Sequence, residues 1–217
     1  VEVVAGKHTS PVTVATAVDF CRKMGKTPIV VKDCPGFLVN RIFLLGANEA
    51  MRILEEGYSI DEIDKILLDF GMPMAPFALA DEVGNDVAYK VADVFERAYG
   101  ERMHPPLLSK LMNENKLYGK KCGKGFYLYN GEKSTVNPQI KTLLEGMNKP
   151  SGPLAKEDIL PRFLYSMINE AARCLEEKIV EKAEFLDLAL IMGIGFPPFR
   201  GGLLAYADKT GLPKIHE

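Results

Sequence analysis

The chain has 217 residues, 47% of them hydrophobic, enough for one large domain or two small ones with a packed core, since domains mostly run to roughly 100 to 200 residues. Its 27 basic and 29 acidic side chains leave a formal charge of -2 with no basic stripe, which argues against nucleic acid as a partner. No apolar run approaches the roughly 20 residues of a spanning helix, and Val1 to Gly6 lack a basic then apolar leader, so no membrane association is expected.

In chain order, Val1 to Val4 is short, apolar and β-branched and predicts a strand. Thr9-Ser10-Pro11 supplies a cap and a proline at the first helical position, and Val12, Ala15 and Phe20 mark one face of the next element, a helix. After Gly25 the run Thr27 to Lys32 predicts a second, buried strand, closed by Asp33-Cys34-Pro35-Gly36. Residues 1 to 34 thus read as β-α-β. Such a piece cannot cover both faces of its sheet unaided, so the chain is expected to start within a larger domain.

Helices dominate the remainder of the chain. Phe37 to Glu56 carries apolar residues at helical spacing and ends at Gly57. Ser59-Ile60-Asp61-Glu62 has the capping-box spacing and opens a helix through Asp69, stopping before Gly71. Asp86 is expected to cap a helix over Val87 to Tyr99, and Pro105-Pro106 to open a short one. The Gly-rich stretch Gly119 to Gly125 then leads into the apolar Phe126-Tyr127-Leu128-Tyr129. Turn formers cluster over residues 130 to 155 around one helix-compatible piece, Gln139 to Met147, and this region is read as a linker. Cys21, Cys34, Cys122 and Cys174 have no C-x-x-C spacing and no clustered histidines, so neither a metal site nor a disulfide framework is expected, in keeping with a reducing cytoplasm.

The chain also repeats itself. Asn48-Glu49-Ala50-Met51-Arg52-Ile53-Leu54-Glu55-Glu56 recurs as Asn169-Glu170-Ala171-Ala172-Arg173-Cys174-Leu175-Glu176-Glu177, identical at seven of nine positions. Downstream, Asp64, Gly71, Pro73, Phe77, Asp81 and Gly84 are matched to Asp187, Gly195, Pro197, Phe199, Asp208 and Gly211. Two such units can pack on each other as two identical subunits would, giving an intrachain pseudo-dimer, or a homodimer can form through the same helices.

Pro35-Gly36-Phe37-Leu38-Val39-Asn40-Arg41 resembles the P-G-F-x-x-N-R signature that opens the C-terminal domain of L-3-hydroxyacyl-CoA dehydrogenases. Val1-Glu2-Val3-Val4 is similar to that family's L-V-E-[IV]-[IV] strand. Gly71 to Phe77 with Asp81 and Gly84 resembles its P-M-G-P-F...D-x-x-G segment, and Lys120 to Tyr127 its K-x-G-x-G-F-Y motif. The second half, with Gly195 to Gly202, is similar to the extra helical repeat of multifunctional fatty-acid oxidation enzymes. The resemblance implies a mainly α fold: tandem C-terminal-type helical repeats after a β-α-β remnant of a Rossmann-like domain. It divides the chain into 1–34, the tail of the NAD-binding domain; 35–129, the first helical copy, for substrate and dimerisation; the 130–155 linker; and 156–217, a second and shortened copy.

The resemblance also implies an activity, NAD-dependent oxidation of 3-hydroxyacyl-CoA to 3-oxoacyl-CoA in fatty-acid beta-oxidation. In it a histidine takes the hydroxyl proton and a glutamate supports that histidine as it becomes cationic. Glu2 matches the glutamate. The family's histidine lies upstream of it in an H-F-F-N-P segment, whereas here one residue precedes Glu2. Asn40 matches the asparagine whose amide contacts the acyl group, and Lys121 a lysine that reaches the cofactor. On their residue types alone, Glu2 and Lys121 read as surface charges and Asn40 as an ordinary cap. Met74, Pro76 and Phe77 could line the acyl side of a cleft, or simply pack.

Two departures stand out. Ala75 replaces the family's glycine, and Asn40-Arg41 aligns with Pro161-Arg162 in the second copy, which reads that copy as structural. The G-x-G-x-x-G turn of dinucleotide sites occurs nowhere in these 217 residues, so this stretch alone is expected neither to bind NAD tightly nor to turn over substrate. A non-catalytic helical interaction module is the alternative from another class, and the retained β-α-β piece argues against it. A dehydrogenase acting on free β-hydroxyacids is disfavoured by the P-G-F-x-x-N-R and G-F-Y motifs.

Overall fold

The computed structural model describes residues 1–147 and 155–211. Strand β1 (Glu2–Ala5), helix α1 (Pro11–Lys23) and strand β2 (Ile29–Lys32) form the expected β-α-β unit. Its strands pair in parallel, with Glu2 opposite Ile29 and Ala5 opposite Lys32. Ser10 caps α1 as its position predicts, its hydroxyl accepting from the Thr13 N–H at 3.1 Å.

Helix α2 (Val39–Glu55) begins two residues later than its apolar pattern suggests, because Gly36 (φ 78°) and Phe37 (φ 54°) both sit in the left-handed region and cannot extend it. Helix α3 (Ile60–Phe70) carries the full capping box. The Ser59 hydroxyl accepts from the Glu62 N–H, and the Glu62 carboxylate accepts from the Ser59 N–H. Left-handed Gly71 ends it. Helices α4 (Pro76–Val83), α5 (Asn85–Tyr99) and α6 (Leu107–Glu114) come next.

Asp86 does not cap α5, contrary to expectation. The helix starts at Asn85, whose side-chain amide is drawn inward to the Asp81 carboxylate (2.8 Å) and the Leu117 carbonyl (2.9 Å), so Asp86 lies within the first turn.

Strands β3 (Tyr127–Asn130) and β4 (Lys133–Val136) make an antiparallel hairpin, and helix α7 (Pro138–Glu145) comes after it, capped by the Asn137 side chain. The stretch read as a linker around a helix-compatible piece, Gln139 to Met147, holds that helix and, beyond the reading, a strand; its Lys149-to-Pro153 cluster lies outside the described residues. Asn130-Gly131 is a hairpin signal, but the polar β4 has no buried face and so no hydrophobic alternation to announce it. Helices α8 (Ile159–Glu176), α9 (Ala183–Ile194) and α10 (Leu203–Thr210) complete the described chain, which is mainly α, as the sequence implies.

The described residues fall into two compact units, one from Val1–Leu45 with Leu164–Glu217 and the other from Gly46–Phe163. Each takes residues from both repeats. In the first, Val31, Leu38, Ile42, Leu186, Leu190 and Phe196 are buried. In the second, Ile63, Leu67, Phe95 and Met112 are buried, and the rings of Phe77 and Phe126 lie 4.7 Å apart.

The repeat is visible helix by helix: α2 corresponds to α8, α3 to α9 and α4 to α10. Gly71 and Gly195 end α3 and α9 in the same left-handed conformation. Asp64 on α3 faces the backbone N–H of Phe77 at the start of α4. Asp187 on α9 accepts from Leu204 N–H (2.7 Å) and Ala205 N–H (3.1 Å) at the start of α10. This corrects one match. Phe199 belongs to a 3-10 turn (Pro198–Arg200) and is 72% exposed, whereas Phe77 is 1% exposed. The extra turn lengthens the α9–α10 connection, so the structural counterpart of Phe77 is Leu204.

Candidate functional site

The N-terminus of α2 leaves backbone N–H groups without helical partners, and such groups favour an anionic acceptor. Glu2 supplies it. Its Oε1 accepts from Leu38 N–H at 2.8 Å and Val39 N–H at 3.4 Å. Among the described residues its Oε2 has no hydrogen-bond partner. The left-handed turn at Gly36 and Phe37 points these N–H groups back at β1; a bulky residue at positive φ is uncommon, and here it occurs where the helix meets the carboxylate.

Asn40, in the first turn of α2, is exposed and its amide has no partner among the described residues. Glu2 and Asn40 line one cleft of about 220 Å3 with Val39 and with Ala189, Met192 and Gly193 of α9. The structure therefore brings Glu2 and Asn40 together, and the wall beside them comes from the second copy.

Arg41, next to Asn40, is fully buried. Its Nε donates to Glu170 Oε1 at 2.7 Å, and its Nη1 and Nη2 donate to the two oxygens of Glu177 at 2.7 and 2.8 Å. Burial works against its charge, and the bonds to Glu177 and Glu170 outweigh that effect and hold its pKa above the usual guanidinium range. A forked guanidinium shared by two carboxylates is a strong, directional contact.

The mirrored contact exists as well. Arg162 donates to Glu49 Oε2 (2.8 and 3.2 Å) and to Glu56 Oε2 (2.6 Å). Arg162, Glu49 and Glu56 are the repeat counterparts of Arg41, Glu170 and Glu177. Each copy thus gives an arginine to two glutamates of the other, the exchange expected of an isologous contact. These partners are missing from the sequence-derived site. The glutamates are identical in both copies of the repeat, but the arginines lie upstream of the matched stretch, and pairing across more than 100 residues leaves no local pattern.

Lys121 lies in a 3-10 turn (Lys120–Cys122) of the second unit. Its ammonium bonds the Asp86 carboxylate and stands 5.8 Å from the centre of the Tyr118 ring. The bond to Lys121 lowers the Asp86 pKa. The Gly-rich segment that carries this turn is anchored by Asp81 of α4. The buried Asp81 carboxylate accepts from Phe126 N–H (3.0 Å), Tyr127 N–H (2.9 Å), the Tyr129 hydroxyl (3.0 Å) and Asn85. A β-carbon on Gly125 would stand 2.0 Å from Asp81 Oδ1, so only glycine lets the segment pass so close. Beside it, Asp64 accepts from the Tyr127 hydroxyl, and burial pushes the Asp64 carboxyl up to about 6. Phe77 belongs to the core, Pro76 is buried at the start of α4, and Met74 is 41% exposed.

Fold and site define a duplicated helical domain that comes after the closing β-α-β of a dinucleotide-binding fold. The profile described as "3-hydroxyacyl-CoA dehydrogenase, C-terminal domain" matches residues 36–129, and "3-hydroxyacyl-CoA dehydrogenase, NAD binding domain" matches residues 1–34. The chain belongs to the 3-hydroxyacyl-CoA dehydrogenase family. It is 48% identical to the fatty acid oxidation complex subunit alpha of Shewanella amazonensis over 221 residues, covering 99% of this chain and 31% of that protein. It thus spans about a third of the length of such relatives. The dehydrogenase part of multifunctional enzyme 1 from C. elegans superposes with a TM-score of 0.65 at 30% identity, over 93% of this chain and 46% of that one. The 3-hydroxybutyryl-CoA dehydrogenase of Escherichia coli K12 shares the fold, with a TM-score of 0.79 at 22% identity over 99% of this chain and 61% of that one.

Proposed function

We propose that the protein to which these residues belong is an NAD-dependent 3-hydroxyacyl-CoA dehydrogenase of fatty-acid beta-oxidation. In this reading residues 1–34 close the cofactor-binding domain, 35–129 form the substrate-binding copy, 130–155 connect, and 156–217 form the second copy, with the reciprocal arginine clamps joining the copies as an intrachain pseudo-dimer. Four free thiols are in keeping with a reducing cytoplasm.

The observation that carries the reading is the pairing of Glu2 and Asn40 in one cleft. The start of α2 holds Glu2 through one oxygen and leaves the other able to accept from an imidazole N–H. A carboxylate so placed orients the ring and stabilises the imidazolium that forms when the ring takes the hydroxyl proton. The Asn40 amide donates to an oxygen of the acyl group without titrating, so it orients substrate at any working pH. NAD, when bound, supplies the hydride acceptor for C3. Of the groups that hold it in this family the chain carries Lys121, whose half-exposed ammonium bonds Asp86 and has further N–H donors to offer an anionic group of the cofactor.

The test is NADH-coupled turnover of a short 3-hydroxyacyl-CoA, and of its ketone in reverse, by the intact enzyme and its Asn40→Ala variant. Loss of one positioned donor is expected to lower kcat/KM by roughly 10² to 10³-fold with an unchanged circular dichroism spectrum. Unaltered turnover of the variant removes Asn40 from the reacting site, and absence of turnover in the intact enzyme itself leaves the helical interaction module as the better reading.

A further inference from the structure

We propose that the second helical copy positions the reacting site of the first, with Arg41 as the positioning residue through which Glu170 and Glu177 set the stance of Asn40. The inference rests on the dehydrogenase reading above.

Asn40 and Arg41 are consecutive in the first turn of α2, so they share one rigid stretch of backbone. The Asn40 side chain is held by nothing among the described residues; its place is decided by where that turn stands. Two anchors decide it. On one side Glu2 takes the Leu38 and Val39 N–H groups. On the other, three bonds of 2.7 to 2.8 Å tie the Arg41 fork to two carboxylates of α8 and its C-terminal end. A single charge pair would fix a distance; a fork bound by two carboxylates also fixes an orientation. Arg41 is fully buried, so solvent screens little of this contact on its side.

The protein contains its own control. Arg162 binds the counterpart pair, with two bonds to Glu49 and one to Glu56, but the residue before it is Pro161, which has no amide to present. One clamp adjoins a candidate site residue and the other does not. If the clamps serve only to join the copies, disabling either should have similar consequences for turnover. If the first also positions Asn40, only its loss should slow the reaction.

The experiment compares Glu177→Gln with its repeat counterpart Glu56→Gln in the intact enzyme. Glu177 is 45% exposed, so this variant weakens the clamp without leaving the buried Glu170 unpaired. Misplacement of a reacting group by about 1 Å costs up to roughly 100-fold. E177Q is therefore expected to lose about 10- to 100-fold in kcat with KM for the acyl-CoA little changed, while E56Q keeps kcat within about twofold. A double variant provides the readout that a purely structural role would not move. If the clamp acts through Asn40, adding E177Q to N40A slows the enzyme little beyond N40A alone. Equal turnover of E177Q and E56Q, or full additivity of E177Q with N40A, overturns the positioning role while an impaired N40A still supports the dehydrogenase site. An N40A enzyme with full turnover removes Asn40 from the reacting site and the positioning role with it, and an intact enzyme without turnover overturns the dehydrogenase reading. Glu177→Asp, which keeps the charge, is expected to recover part of the loss.

Discussion

The two copies of the helical unit start alike and end in different uses. At the head of α2 a buried arginine grips Glu170 and Glu177, the helix N-terminus holds Glu2, and Asn40 faces a cleft. At the head of α8 the matching arginine grips Glu49 and Glu56 but is 29% exposed, and Pro161 stands where the amide would be. The corners after α3 and α9 differ in the same way. Asp64 and Asp187 both serve the start of the next helix, yet only Asp64 also takes the hydroxyl of a hairpin tyrosine. Duplication kept the joints that pack one copy on the other. Among the described residues the arginine and glutamates of the clamp occur in both copies, whereas the asparagine at the cleft and the carboxylate bonded to a hairpin tyrosine occur in the first.

The largest separation between copies is expected from the arginines themselves. Arg41→Ala takes from the buried Glu170 carboxylate the guanidinium that donates to it at 2.7 Å, and should cost about 3 to 5 kcal/mol. Arg162→Ala leaves Glu49 paired with Arg52 at 2.7 Å in a partly solvated setting and should cost about 1 kcal/mol. Urea unfolding of both variants checks this. Equal losses would mean that burial is not what distinguishes the clamps.

Asp64 provides a pH test. Its carboxyl is pushed up to about 6 by burial, above the roughly 3.9 of an unfolded chain, so the folded state holds the proton more tightly. Its contribution to stability is complete below pH about 4 and is lost as pH rises through about 6. The stability of the wild type relative to Asp64→Asn should therefore fall between these values and level off above them. A flat or rising difference contradicts the assignment.

The smallest effect concerns the caps of α3 and α9. Ser59→Ala removes a capping box and should cost about 1 kcal/mol. Lys182, at the corresponding position before α9, makes no capping bond but stands 5.9 Å from the centre of the Phe185 ring. Lys182→Ser should gain about 0.5 kcal/mol once that lost contact is counted. Thermal unfolding at matched pH resolves both signs.

Much of the fold is legible in the residues. Ser10-Pro11 and Ser59 to Glu62 mark helix starts by local hydrogen bonding, and the structure places both as predicted. The repeat is readable because seven of nine residues are identical. Three features are not. Helix α5 opens at Asn85 because a buried carboxylate captures its amide. Strand β4 pairs without a buried face. Phe199 is displaced by a 3-10 turn, and nothing in its apolar character tells an exposed loop position from a core one.

Local chemistry by itself determined where the helices begin and stop, that a unit is duplicated, and which motifs place the chain in its family, because capping, periodicity and short signatures act over a few neighbouring residues. Tertiary structure alone decided which carboxylates hold Arg41, that Glu2 closes the head of α2, and that α9 lines the cleft beside Asn40. Those contacts join residues far apart in the chain, and their partners are selected by which surfaces pack together.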